Sequence, residues 1–281
     1  MNKKTLLVGL SVLAVMFVGV AVLIAILYGG DGVKDGKPQV RKSEALFCAV
    51  PSNAVAVARF ADVKTASEKV LSLDVPPAKG RGGFGKAVAD AVAAGRLPEL
   101  SAHALAVSLQ YSKNLVPLYV FDAGRAGDTE NDAEVNLIAT LASEAGLSFN
   151  DCDCSKILSV TQELRGRRLL LVSPADNIVN SSLRHLNDGV SIYDSNGFAA
   201  AASGVSASSS LFISVSAADQ ILPSVLSPSI RKHYKFLTSF SEWIGAELSF
   251  GEKGVELYGK AFSARQTDFA NVLVSQKPAS C

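Results

Sequence analysis

Between Leu6 and Leu27 every position is apolar except Gly9, Ser11 and Gly19. An unbroken run of this length predicts one membrane-spanning helix, about 33 Å long against a hydrocarbon core of about 30 Å. Leu6, Leu13, Phe17, Val20 and Leu27 are its anchor residues. A cleaved signal peptide would have a shorter apolar region and a small-x-small cleavage site. This run instead ends in Leu27-Tyr28-Gly29-Gly30-Asp31, and the bulky Phe47 before Cys48 argues against a lipoprotein site. Residues 1–30 therefore read as an uncleaved signal anchor and 31–43, rich in glycine and charge, as a juxtamembrane linker.

Beyond residue 44 the pattern changes to short periodic segments. Ala54 to Phe60 reads as a strand, Val63 to Leu73 as a helix capped by Asp62, and Phe84 to Ala94 as a second helix closed by Gly95. A hairpin follows, His103 to Tyr111 with Leu115 to Phe121, then an amphipathic helix from Glu130 to Ala145. Leu147 to Cys152, Lys156 to Leu164 and Arg168 to Val172 read as strands. Ser173 would cap a helix running to Leu186, with Asp176 completing a capping box. After a short helix, Asn196 to Ala202, comes a strand at Leu211 to Val215 and a helix at Ile230 to Phe240. A hairpin pairs Trp243 to Phe250 with Val255 to Phe262, and a last helical turn spans Phe269 to Val274.

The order strand, helix, helix, hairpin, helix occurs twice, about 50–146 and 205–275, around a strand-rich connector, 147–204. Asp62 corresponds to Asp219 and Lys113 to Lys253. The predicted fold class is α+β: an antiparallel sheet with helices packed on one side, an internal duplication, and one transmembrane helix in front. The turn at Gln276 to Cys281 predicts either chain continuing beyond it or a C-terminus that packs little.

Charge adds topology. The chain carries 27 basic and 26 acidic side chains, so no strong field exists to recruit nucleic acid. Lys3 and Lys4 flank the apolar run on one side; Lys34, Lys37, Arg41 and Lys42 lie on the other. A bare count of basic residues favours the opposite orientation, but Lys3 and Lys4 abut the run and Asp31 opens its far side, so the expected arrangement is tail inside and domain outside.

Val50-Pro51-Ser52-Asn53-Ala54-Val55-Ala56-Val57, Leu171-Val172-Ser173-Pro174 and Phe269 to Pro278 together resemble an uncharacterised family of single-pass, N-terminally anchored bacterial cell-envelope proteins. The resemblance implies an inner-membrane anchor with an exported α+β region in the periplasm, and it brings no catalytic residues.

Gly80-Arg81-Gly82-Gly83-Phe84-Gly85-Lys86-Ala87 matches G-x-x-x-x-G-K. As a nucleotide site, its backbone N–H groups would cradle phosphates and Lys86 would reach the terminal ones, with Gly80 and Gly85 shaping the loop. Against this, Ala87 stands where a magnesium-binding hydroxyl belongs, the loop follows Asp74-Val75-Pro76-Pro77 instead of a buried strand, and an exported domain meets little ATP. The competing reading is a basic surface loop. His103, His185 and His233 are scattered, there is no G-x-S-x-G elbow, and no zinc spacing occurs. No cofactor, metal or catalytic residue is assigned.

Outside the cytoplasm, Cys48, Cys152 and Cys154 are candidates for a disulfide; the C-x-C pair would place both thiols on one face of a strand. Arg165 and Arg167, with Trp243 on a strand's outer face, form a candidate partner surface. The expected function is a non-enzymatic envelope protein that contacts membrane lipid through its helix and another envelope protein through its domain, in assembly, adhesion or envelope maintenance. Alternative readings are an exported enzyme or nucleotide-binding protein at Gly80–Lys86, and a carrier of hydrophobic ligands.

Overall fold

Strand β1, Ala54–Phe60, is entered from a short helix, α1 (Ala45–Cys48), through the turn at Pro51. It leaves into α2 (Val63–Ala66), because Asp62 sits in extended backbone and its carboxylate accepts the Thr65 N–H at 2.6 Å. The helix does not then continue regularly. Ser67–Leu71 widens into a π-turn. Helix α3 (Phe84–Ala93) starts against the end of that turn: a Cβ on Gly85 would lie 3.3 Å from the Leu71 carbonyl oxygen.

The structure, a computed structural model, describes residues 45–71, 83–112, 114–127, 131–157, 165–195, 197–205, 208–215, 217, 242–251 and 254–262. They fall into two compact units. One spans Lys42–Ser195, and the described part of the other runs from 197 to 262.

In the first unit β2 (Leu105–Ser112) and β3 (Asn114–Arg125) form the expected hairpin, registered from Leu105 opposite Phe121 to Ser112 opposite Asn114. Helix α4 (Asp132–Glu144) follows, then β4 (Ser148–Asp153), β5 (Arg167–Ser173) and α5 (Asp176–Asp188). All neighbours are antiparallel in the order β4-β5-β3-β2-β1. Strand β5 is thus inserted between the two strands that precede it in sequence, and Leu169, Leu170, Leu171 and Val172 are all fully buried.

Those four consecutive residues alternate between the sheet's faces, so both faces are covered. On β3, Phe121 and Tyr119 meet the ring of Phe84 from α3 edge-on, at 6.2 and 5.3 Å, while Leu118 and Val120, pointing the other way, are also fully buried. The expectation placed helices on one side; the apolar run of β5 shows that the second face is covered as well. The segment 45–52 is clasped by the chain after β5. Ser182 Oγ donates to the Ala49 carbonyl, Ile192 N–H to Val50 at 2.9 Å, and Ser195 Oγ to Ser52 at 2.8 Å.

Three local expectations also change. Helix α5 starts only at Asp176, so its N-cap is Ala175, which has no capping side chain, and the Ser173 hydroxyl lies two residues ahead, donating to the Pro117 carbonyl at 2.8 Å and accepting the Ala175 N–H at 3.3 Å. The capping box lies further on, where Ser191 and Asp194 exchange bonds around a short 3-10 turn, Ile192–Asp194. Lys156, expected to open a strand, instead closes a 3-10 turn, Cys154–Lys156, and residues 158–164 of that expected strand lie outside the described residues.

In the second unit α6 (Phe198–Ser203) precedes β6 (Ser209–Ser214), which pairs antiparallel with β7 (Trp243–Gly251), itself in a hairpin with β8 (Gly254–Phe262). Phe198 is the hub of its core, edge-on to Phe212 at 5.3 Å and to Trp243 at 4.9 Å. The expected helices at 230–240 and 269–274, with Asp219, Lys113 and Lys253, lie outside the described residues.

Candidate functional site

Strand β4, at one end of the first unit's strand order, gathers most of the chemistry in that unit. Its sequence, Ser148-Phe149-Asn150-Asp151-Cys152-Asp153, alternates carboxylates with a thiol, so carboxylates and thiol leave opposite faces.

On the carboxylate face, Arg168 of β5 grips Asp151 with both arms of its fork, Nε to Oδ1 at 2.9 Å and Nη2 to Oδ2 at 2.6 Å. Its third nitrogen, Nη1, donates to Asp132 at the start of α4, at 2.5 Å. The guanidinium is thereby held well above its ordinary pKa, first by the Asp151 hydrogen bonds, against the cost of partial burial. One side chain therefore joins two strands and a helix. The neighbouring Arg167 pairs with Asp122, whose other oxygen accepts the Gly124 N–H at 3.0 Å. Gly124 has φ +82°, a conformation glycine adopts without strain, and it lies in the irregular stretch between Asp122 and Arg125 where β3 slips its register against β5. Glu134 of α4 is buried and accepts the backbone N–H groups of Glu99 and Leu100 at 3.0 and 2.7 Å.

On the thiol face Cys152 and Cys154 are both buried, and the structure holds Cys48, Cys152 and Cys154 as thiols. The Cys154 thiol hydrogen-bonds to the Cys152 sulfur. That bond lowers the pKa of Cys152, against burial and the charges of Asp151 and Asp153, and raises that of Cys154, where burial and the nearness of Cys152, Asp153 and Cys48 act in the same direction. Asp153 turns the chain between them: its Oδ1 accepts the Ser155 N–H at 2.9 Å and the Ser155 hydroxyl at 2.5 Å, which with Lys156 holds its carboxyl below the usual range. Among the described residues no three His, Cys, Asp or Glu side chains are placed to hold a metal ion.

The other sequence candidates scatter. Gly80 lies outside the described residues, Gly85 packs against Leu71, and Lys86 points along the surface of α3 to Asp90 at 2.7 Å, one turn on. Arg165 is exposed in the turn before β5, with Gly166 at φ +80°. Arg167 faces Asp122 and so joins the fold's own network. Trp243 is corrected as a partner-facing residue: it is 2% exposed and buried under Phe198. Leu6, Leu13, Phe17, Val20 and Leu27 lie outside the described residues; among those described, no helix is long and apolar enough to cross a membrane.

Sequence reasoning missed Arg168 as a node, since nothing local shows which of three nearby arginines faces two carboxylates. It also missed the pair Ser108 and Gln110. These share one face of β2 by alternation, which predicts a wet face, yet both are fully buried, with Gln110 Nε2 donating to Ser108 Oγ at 2.8 Å.

Compared with protein-family models, with curated proteins and with solved structures, the chain matches none.

Proposed function

We propose that this chain is a single-pass protein of the bacterial inner membrane whose periplasmic α+β domain acts by protein or lipid contacts, in assembly, adhesion or envelope maintenance, and not as an enzyme. The observation that carries the reading is the apolar run Leu6 to Leu27, followed by a charged linker and a domain with its own buried core. The polar groups of that domain support the same view. Arg167, Arg168, Glu134 and Lys86 are each engaged by partners within the fold, as structural groups are. Arg165 is left as an exposed basic tip for an acidic surface.

The same proposal takes the domain as an internal duplication. In each unit a strand pairs with the first arm of a later hairpin, β1 with β2–β3 and β6 with β7–β8. The chain leaving each first strand reaches back to the approach to that hairpin: Val63 N–H to the carbonyl of His103, two residues before β2, at 2.8 Å, and Val215 N–H to that of Glu242, one residue before β7, at 2.9 Å. The glycine-rich loop gains nothing, since the Lys86 ammonium that would meet a phosphate is paired with Asp90.

Labelling tests topology and function together. With Asp31→Cys in a background without native cysteines, a membrane-impermeant maleimide should react in spheroplasts before lysis. Reaction only after lysis overturns the orientation. Cross-linking the native chain in intact cells should recover a discrete envelope partner, and a chain recovered alone ends the contact reading.

A further inference from the structure

Two turns of the first unit are tied together where β3 ends and β5 begins. The Ala126 N–H donates to the Gly166 carbonyl at 2.6 Å, which sets Arg125 and Arg165 one residue to either side of a single hydrogen bond. Both arginines are exposed, and among the described residues neither has a carboxylate partner. Arg125 also stands opposite Arg167 in the register. Like charges directly opposite on paired strands destabilise a sheet. Asp122 answers only one of the two, since one oxygen takes Arg167 and the other the Gly124 N–H at 3.0 Å. The carboxylates nearest in sequence, Asp128, Glu130 and Glu163, lie outside the described residues. The approach to the pair is open: Gly127 and Gly166 have φ +85° and +80°, and a Cβ on either would meet nothing within 4 Å. Sites for small free ligands are concave and surround them. Two uncompensated guanidiniums on an open tip instead suit a broad surface of negative charge.

We propose that Arg125 and Arg165 dock the first unit on the phosphates of anionic phospholipid headgroups. The inference rests on the anchored reading above. Residues 31–43, the linker, span at most roughly 45 Å when fully extended, so the tip stays within reach of the bilayer that holds the chain. A guanidinium fork offers two parallel N–H donors to two phosphate oxygens, a match that a lysine lacks. Each basic residue at an anionic membrane surface is worth roughly fivefold in binding, so the pair supplies roughly thirtyfold. That is enough to orient a tethered domain and too little to replace its anchor. Asp122 keeps Arg167 out of the contact, and the bond between Ala126 and Gly166 holds the two turns at one level.

The test places the full-length chain in nanodiscs of phosphatidylcholine, or of phosphatidylcholine and phosphatidylglycerol in equal parts, and follows hydrogen exchange by mass spectrometry. In the mixed discs, peptides covering residues 124–126 and 165–167 should exchange about threefold more slowly, or slower still, at about 0.05 M salt; the difference should vanish near 1 M, where the Debye length is about 3 Å. A peptide over α3 serves as the control and should not change. The double variant Arg125→Gln with Arg165→Gln alters two exposed side chains without partners in the fold, so it should abolish the slowing while the chain stays in the discs and the α3 peptide is unmoved. Docking is overturned by equal exchange in the two discs or by slowing that survives in the double variant. It is also overturned if inorganic phosphate added to neutral discs protects the peptides as well as phosphatidylglycerol does, which marks a free-anion site. A chain that enters neither disc overturns the anchored reading instead. The same peptides are then followed as mixed-lipid vesicles are added to the soluble chain, where slower exchange supports docking and unchanged exchange ends it.

Discussion

Arg168 shows how much can hang on one side chain. Its three nitrogens satisfy carboxylates on β4 and α4 while its stem runs through partly buried ground, 16% exposed. Replacing it with Met keeps the stem and leaves Asp151 and Asp132 without the fork. Both carboxylates keep some contact with water, so the expected loss is about 1–2 kcal/mol, less than for a fully buried pair. Urea unfolding should show it as a lower midpoint with an unchanged slope, and Arg168→Lys should recover less than half, because a lysine cannot make the bidentate contact. This node was not legible in the sequence, where Arg165, Arg167 and Arg168 look alike; only register, which sets Asp153 opposite Arg168 and Asp122 opposite Leu169, separates their fates. Trp243 failed for the same reason. Alternation correctly separated the two faces of β7, but the face carrying Trp243 is covered by α6, an element some forty residues earlier whose position no local pattern encodes.

At the scale of elements, local chemistry carried far. Asp62 caps α2, Gly95 follows α3 at φ +67°, and, apart from β3 running four residues further to Arg125, both hairpins sit within two residues of their expected bounds, because caps, left-handed glycines and tight turns act over three or four residues. What escaped was set by tertiary packing: the π-turn at Ser67–Leu71, the cover on both sheet faces, and the 3-10 turn at Cys154–Lys156. Helix α6 on β7 tests how tight such packing is. A Cβ on Gly245 would sit 2.9 Å from Val205 Cγ2 and 3.1 Å from the Ala201 carbonyl oxygen, and the second of these cannot swing aside as a side chain can. Gly245→Ala should therefore cost about 1–3 kcal/mol despite the higher strand propensity of alanine. The expected signature is a red shift in the emission of Trp243, the chain's sole tryptophan, at denaturant concentrations where the native chain is unchanged.

For the whole molecule the question is what holds it at a membrane. Among the described residues the large exposed hydrophobics are Tyr111, Val190 and Tyr258, on β2, after α5 and on β8. Tyr258, at 65%, is the most exposed of them. Among the described residues of the first unit, Tyr111 and Val190 stand on separate elements, and single apolar side chains of this kind do not amount to the large patch that binds a bilayer. Net charge gives no help either: without Lys3 and Lys4 the chain has 25 basic and 26 acidic residues, too even a balance for a polybasic attachment. Under the proposed function, Leu6 to Leu27 is the attachment. A chain lacking residues 1–30 should move entirely to the soluble fraction and purify without detergent, while the full chain should stay with membranes through alkaline carbonate, which strips proteins held by charge alone. If the shortened chain still sediments with membranes, the domain itself carries a binding surface and the anchor is not the sole attachment. If the full chain is released by carbonate, the apolar run does not span the bilayer.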